Sequence, residues 1–201
     1  MSNQKRAYHM KRRAEFEEQT RRRITESTVA LHEEVGPAWT SISAIAERAG
    51  VRRSTVYRHF PDEETLFAAC SSQFRAANPR PDPDAWAAIA DPAERTAVAL
   101  HELYTFYGST ERMYASLLRD EPLVPNVQRL MRGFHDYLRA IEDVLMARRG
   151  LRGGGAVRTR AAIGHAVSFS TWQSLTREQD LADEDAVALM CLLVEGGTRA
   201  R

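Results

Sequence analysis

The chain has only two cysteines in 201 residues, Cys70 and Cys191, and they stand far apart. That excludes a disulfide-stapled scaffold and leaves no Cys-x-x-Cys pair for zinc, so a reducing compartment is expected. No apolar run approaches the roughly 18–20 residues that a membrane span needs. The basic N-terminus is not followed by an apolar segment, so it does not read as a secretory signal. A cytoplasmic protein without a membrane partner is the expectation. Strands are missing too. No stretch alternates apolar and polar residues convincingly outside a helical context, and β-branched clusters are scarce. Catalytic constellations are equally absent. His101, His135 and His165 have no acids or cysteines at metal-ligand spacing. Glu142 and Asp143 are adjacent and fall on different helix faces, and no Ser/His/Asp or Cys/His arrangement has credible proximity. The glycine-rich stretch 150–155 lacks the Lys-Ser/Thr of a phosphate-binding loop and any preceding strand, so it reads as a flexible loop. No enzyme activity, metal or cofactor is expected.

What is present is a helical pattern throughout and an uneven distribution of charge. Residues 1–60 hold 12 Lys/Arg against 7 Asp/Glu, whereas residues 61–201 hold 16 against 20. The two parts face different partners, and the first suits a polyanion. Residues 1–13 read as a basic flexible arm. A first helix from about Ala14 to Val35 carries Phe16, Ile24, Thr28 and Leu31 on one side and stops at Gly36-Pro37. Prolines 79, 81 and 83 mark a break, which gives domains at 1–76 and 77–201. Beyond it, the periodicity predicts helices near 84–90, 92–107 (interrupted by Gly108-Ser109), 113–121, 124–148, 156–178 and 183–196.

The most informative stretch is 40–60, two short amphipathic helices joined by a tight turn. Ile42, Ile45, Ala46 and Ala49 share one face of the first. Gly50 supplies a position tolerant of φ > 0. Val51, Val56 and Phe60 form the apolar side of the second. Its outward side is Arg52, Arg53, Ser54, Thr55, Tyr57, Arg58 and His59, all donors, with no acid among them. A solvated face on an enzyme normally mixes signs. This one suits a groove lined by phosphates and base-edge acceptors. Pro61-Asp62-Glu63-Glu64 then opens a helix that Asp62 can cap, with Leu66, Phe67, Cys70 and Phe74 on its buried face.

Thr40–Phe74 resembles the DNA-binding domain of the TetR/AcrR family of transcriptional regulators. The matching pieces are Thr40-Ser41-Ile42, Ile45-Ala46, Ala49-Gly50-Val51, Thr55-Val56-Tyr57-Arg58-His59-Phe60 and Glu64-x-Leu66. The resemblance extends through the first helix, and the final 40 residues look like the family's closing helix pair. It implies an all-α fold of about nine helices, with an N-terminal three-helix helix-turn-helix domain and a C-terminal helical ligand-binding and dimerisation domain. It implies phosphate contacts for Tyr57 and His59, and base-edge or adjacent-phosphate contacts for Arg53, Thr55 and Arg58, with Arg52 a further DNA-binding candidate on the same face. Thr40 and Ser43 would reach the DNA backbone or a base. One departure is plain. The family often has a phosphate-contacting lysine just after the reader helix, and Glu63 stands there. Lys11, Arg12, Arg13, Arg21, Arg22 and Arg23 either lie along phosphates or form a solvated helix face paired with Glu15, Glu17, Glu18 and Glu26.

The last helix is apolar nearly all round, from Ala186 and Val187 to Val194, so all its sides need cover. Gly164, Ser168 and Thr171 on the preceding helix permit close approach. With Leu189 and Leu193 they are candidates for an isologous homodimer interface, the alternative being an internal helix pair in a monomer. His101, Tyr104, Tyr107, Met113, Phe134, Tyr137, Phe169 and Trp172 are candidates for a pocket that takes an apolar or aromatic small-molecule effector, the alternative being ordinary core packing. The expected function is a ligand-responsive homodimeric repressor on a pseudo-palindromic double-stranded DNA operator. The alternative is a helical small-molecule-binding protein or enzyme on the same fold with lapsed DNA function.

Overall fold

No glycine or proline falls between residues 2 and 35, and the chain begins as one long helix, α1 (Ser2–Glu34). The computed structural model describes residues 2–199, with side chains over 8–198. Its other helices are α2 (Ile42–Arg48), α3 (Arg53–His59), α4 (Glu63–Ala77), α5 (Pro83–Ala87), α6 (Pro92–Asp120), α7 (Pro125–Met146), α8 (Gly153–Ala166), α9 (Phe169–Gln173) and α10 (Asp183–Arg199). A 3-10 turn covers Pro37–Trp39 and a π turn covers Ser174–Glu178. The chain forms two compact units, residues 1–77 with 115–128, and residues 78–114 with 129–201. A single boundary at 76/77 therefore misplaces residues 115–128, which pack with the first unit.

The first unit is built on Ile24, Ile45, Ala46, Ala49, Val56, Phe60 and Leu66, all buried, with Leu31, Ile42, Val51 and Ala69 packed around them. Burial of the five large side chains contributes about 10 kcal/mol before chain entropy is charged. The Ser41 hydroxyl caps α2 by accepting from the Ala44 N–H at 3.1 Å. Gly50, at φ +64, ends it, and Val51 N–H returns to the Ala46 carbonyl at 2.9 Å. Asp62 caps α4 by accepting from the Thr65 N–H at 2.7 Å. Gly36 has a double reason to be glycine. Its φ is +92, and a Cβ there would collide with the Arg119 guanidinium and the Asp120 carboxylate.

Asp120 ties residues 115–128 into this unit. It is fully buried, and its carboxylate accepts from the Ala38 N–H at 3.0 Å and from Arg119 Nε at 2.8 Å. Arg119 also donates to the Val35 carbonyl at 2.7 Å. Burial pushes the Asp120 carboxyl up, but these donors and the charges of Arg119 and His32 hold it below its ordinary value. His32 is buried beside Phe67, with Nδ1 3.8 Å from the Cys70 sulfur. Burial pushes its pKa down to about 4, against the opposing pull of Asp120.

Two readings of the N-terminus are corrected. Residues 2–13 continue α1 as helix and are not a flexible arm, although the side chains of residues 1–7 lie outside the described residues. Nothing in the sequence breaks the helix there, and the pairs Lys11–Glu15 and Arg13–Glu17 support it. Phe16 is not on the buried side. It is exposed, because side-chain burial on α1 begins only at Thr20.

The second unit is a helical bundle. Asp91 caps α6 through the N–H groups of Ala93 and Glu94, both at 2.8 Å. The helix does not break at Gly108-Ser109. The Ser109 and Thr110 hydroxyls fold back onto the Phe106 carbonyl, and Gly108 lies against the Trp172 ring. The glycine-rich stretch is only partly loop, since Gly153–Gly155 form the first turn of α8. The helix expected over 156–178 divides at Val167, where Ser168 starts α9. The buried Arg95 donates to the carbonyls of Ile89, Ala90, Val144 and Ala147, which closes the C-terminal ends of α5 and α7 with one side chain.

Candidate nucleic-acid interface

α3 is only seven residues long, and its sides divide cleanly. Val56 is buried and Phe60, at its C-cap, is buried. Arg52, Arg53, Ser54, Tyr57 and Arg58 are exposed, while Thr55 and His59 are half-buried. Tyr57 is 45% exposed, a large share for an aromatic ring on so short a helix. The outward face therefore carries Arg52, Arg53, Arg58, a phenol and hydroxyls, with no carboxylate.

His59, one of the two half-buried residues, is enclosed at its ring. Its Nε2 is buried without a hydrogen-bond partner among the described residues. Desolvation, then the charges of Arg58 and Arg21, push its pKa down, so it meets a partner as neutral imidazole near pH 7. Arg21 of α1 donates to the His59 carbonyl at 2.9 Å and lies 4.3 Å from the Phe60 ring centroid. The sequence allows two readings of Arg21, a phosphate contact or part of a solvated face paired with glutamates, and neither has it bonding to α3. The signal that could have separated it was its register: Ile24, Thr25 and Thr28, all buried, follow it at helical spacing on the core side of α1.

The second helix presents Ser43 in solvent. Thr40 lies outside it: α2 begins at Ile42, and the Thr40 hydroxyl donates to the Gly36 carbonyl at 2.8 Å. Glu63 is exposed in the first turn of α4, where an acid suits the helix dipole. It shares the wall of a cleft of about 70 Å³ with Thr40, Ile42, His32 and Phe67. Of the other cations, Lys11, Arg13 and Arg22 pair with Glu15, Glu17 and Glu26 along α1, and Arg48 makes a two-pronged pair with Glu34.

In the second unit, six of the eight residues named for an effector pocket pack as rings. Tyr107 lies 5.3 Å from Phe169, 5.9 Å from Trp172 and 6.3 Å from Tyr104, and Tyr114 joins Phe134 at 4.7 Å. Phe134 continues to Tyr137 at 6.3 Å, and Arg80 covers both rings. The Tyr104 and Tyr107 hydroxyls donate to the Ala166 and Val167 carbonyls at the end of α8. Burial pushes both phenols' pKa values up. Met113 is buried as well. His101 stands apart on the exposed side of α6, in an open groove of about 400 Å³ with Ala97, Val98, Glu102, Glu184 and Val187. Among the described residues, no group of three or more His, Cys, Asp and Glu could hold a metal ion, and no helix is long and apolar enough to cross a membrane.

α10 has a covered side, with Ala186, Val187, Met190 and Val194 buried, and an open one, with Leu189, Leu192 and Leu193 exposed. It packs closely on α8, where a Cβ on Gly197 would meet the Thr159 backbone at 3.2 Å. The small residues named for the interface have internal roles. Gly164 lies against Glu142, Ser168 caps α9 by accepting from the Thr171 N–H, and Thr171 is buried. Val157 of α8 is a further exposed apolar residue, which the sequence does not single out.

A short helix with a cationic, acid-free face, packed on a three-helix core, is a helix-turn-helix of the kind that suits a DNA groove. Residues 24–70 match the family described as "Bacterial regulatory proteins, tetR family", and the chain carries that family's N-terminal domain. The fold agrees along most of the chain. A TetR-like transcriptional regulator from Rhodococcus sp. RHA1 superposes with a TM-score of 0.66 at 18% identity, covering 90% of this chain and 97% of that one. NalD, the secondary repressor of the MexAB-OprM multidrug efflux pump in Pseudomonas aeruginosa, gives 0.59 at 20% identity, covering 91% and 97%. No curated protein sequence matches the chain.

Proposed function

We propose that this protein is a cytoplasmic, ligand-responsive repressor that binds a pseudo-palindromic DNA operator as a homodimer. The observation that carries the reading is the exposed face of α3, where Arg52, Arg53, Tyr57 and Arg58 meet solvent with no carboxylate among them. In the major groove, Arg53 and Thr55 would address base edges, with Arg52, Tyr57, Arg58, His59 and Ser43 on phosphates or neighbouring bases. One seven-residue reader is too small for tight specific binding, so two copies would read half-sites about one helical turn apart. The open side of α10 with Val157 of α8 is the surface that would join them.

The effector would be an apolar or aromatic molecule received among Tyr104, Tyr107, Phe134, Tyr137, Phe169 and Trp172. Those rings already touch one another, so a ligand would have to favour a conformer with looser packing. Only that unequal affinity could change DNA binding. The test is selection of bound duplexes from a random pool with the purified chain. Two related half-sites at helical-turn spacing are expected. Recovery of no enriched sequence would overturn the reading.

A further inference from the structure

The surface left over by this reading is the first part of α1. Every described side chain from Tyr8 to Gln19 is exposed, so this stretch of helix buries nothing against the rest of the unit, although Glu17 and Glu18 lie near enough to His59 to act on its charge. An isolated helix of this length is marginal in water. Residues 8–23 nevertheless carry six Lys/Arg against three Glu. The cations come as two triplets, Lys11-Arg12-Arg13 and Arg21-Arg22-Arg23. Three consecutive helical residues point about 100° apart, so each triplet forms a collar around much of the helix. The glutamate pairs on the outer collar are solvent-exposed. Such exposed pairs contribute little, so a phosphate can replace the glutamate. Arg12 has no ion pair among the described residues and lies over the Tyr8 ring.

The inner collar fixes where this rod starts. Arg21 donates to the carbonyl of His59, the last residue of α3. The outer collar lies about ten residues earlier, about 15 Å along the axis. A major groove is about 12 Å wide. A rod anchored at the end of a helix lying in that groove is long enough to reach the bordering backbone.

We propose that the exposed part of α1 is a second DNA contact, a sequence-independent clamp in which Lys11, Arg12 and Arg13 hold phosphates flanking the half-site. The proposal rests on α3 being the DNA reader. Phosphate neutralisation releases counterions, so the contact adds to the salt dependence of binding and not to base preference.

The test is salt-dependent binding of the full chain to a selected duplex and to an unrelated one. The variant is Lys11→Ala/Arg12→Ala/Arg13→Ala, which keeps helix propensity. The slope of log K against log salt should fall by about 0.9 per lost contact, one to three per protomer, and affinity should fall by the same factor for both duplexes. Arg12→Lys/Arg13→Lys, which leaves lysine at all three positions, should keep the wild-type slope. A wild-type slope in the alanine variant overturns the clamp while leaving the reading of α3 intact, provided Arg53→Ala still weakens binding. Changed base preference at the half-site, or a changed oligomeric state at unchanged slope, also overturns it. If the wild-type chain binds neither duplex, the reading of α3 fails and takes the clamp with it.

Discussion

The guanidinium of Arg21 closes the end of α3: it donates to the His59 carbonyl at 2.9 Å and stacks 4.3 Å from the Phe60 ring centroid. That carbonyl is one of the acceptors a helix leaves unpaired at its C-terminus, where the dipole is negative and a cation is welcome. One residue of α1 thus holds the C-terminal end of α3. Arg21→Ala should weaken DNA binding by about 1–2 kcal/mol through misplacement of α3, with the salt slope unchanged. Titrations at several salt concentrations check this. A slope lower by about one would make Arg21 a phosphate contact instead.

Arg53 and Glu63 are expected to act in opposite directions. Arg53 is exposed in the first turn of α3, and Arg53→Ala should cost about 1–3 kcal/mol and relax base preference if it reaches a base edge. Glu63, exposed at the start of α4, places an acid where a phosphate-contacting lysine is common in the resembled family. Glu63→Lys should raise affinity for every duplex alike and steepen the salt slope by about 0.9. It should also cost about 0.3–1 kcal/mol of stability, because a cation opposes the dipole at a helix N-terminus. Unchanged affinity would remove Glu63 from the neighbourhood of the DNA.

The helix-turn-helix was legible because its information is local. Ile45, Ala46 and Ala49 repeat at helical spacing, Gly50 is needed for its positive φ, and the acid-free run from Arg52 to His59 needs no tertiary knowledge to be seen. What was not legible depends on residues distant in sequence. Asp120 bonds to the Ala38 N–H across 82 residues, so no window reveals that residues 115–128 belong to the first unit. The continuity of α6 was hidden for the same reason: glycine at 108 reads as a break until the Trp172 ring lies against it. Gly164, Ser168 and Thr171 were small enough for an interface, but smallness does not say which neighbour exploits it. Within the single chain, Gly164 lies against Glu142, Ser168 caps α9 and Thr171 is buried.

His32 gives the first unit a dependence on acid. Its folded pKa is about 4, against an ordinary value of 6.5. Between these pH values the unfolded chain binds the proton and the folded chain does not, so stability falls as pH drops from 6.5 toward 4. The loss amounts to at most about 3 kcal/mol. Above pH 6.5 both states are neutral and the contribution is level. His32→Gln should flatten the pH dependence in this window, measured as urea midpoints at about pH 7 and about pH 4.5. Parallel curves for wild type and variant would show that His32 is not the titrating group. Asp120, held below its ordinary value, contributes stability above the unfolded carboxylate pKa that is lost as pH falls further, through its own folded value.

Leu189 and Leu193 separate the covered side of α10 from the open one. Each is 43% exposed, whereas Ala186 and Val194 are fully buried on the same helix. Val157 of α8 is exposed at 70%, and Leu192, exposed at 71%, lies with Leu189 and Leu193 on the open apolar side of α10. A second copy meeting it about a twofold axis would bury the same residues on both sides. Leu193→Glu would then set two carboxylates near each other in an apolar interface, a cost of several kcal/mol that a dimer of ordinary size does not absorb. Sedimentation should show a dimer for wild type and a monomer for Leu193→Glu or Leu189→Glu, with helicity unchanged because both positions are solvated in the single chain. Operator affinity should fall with dimerisation, since each half-site is then bound alone. A variant that stays dimeric would place the interface on another surface, and a wild-type monomer would leave the apolar side of α10 to a different partner.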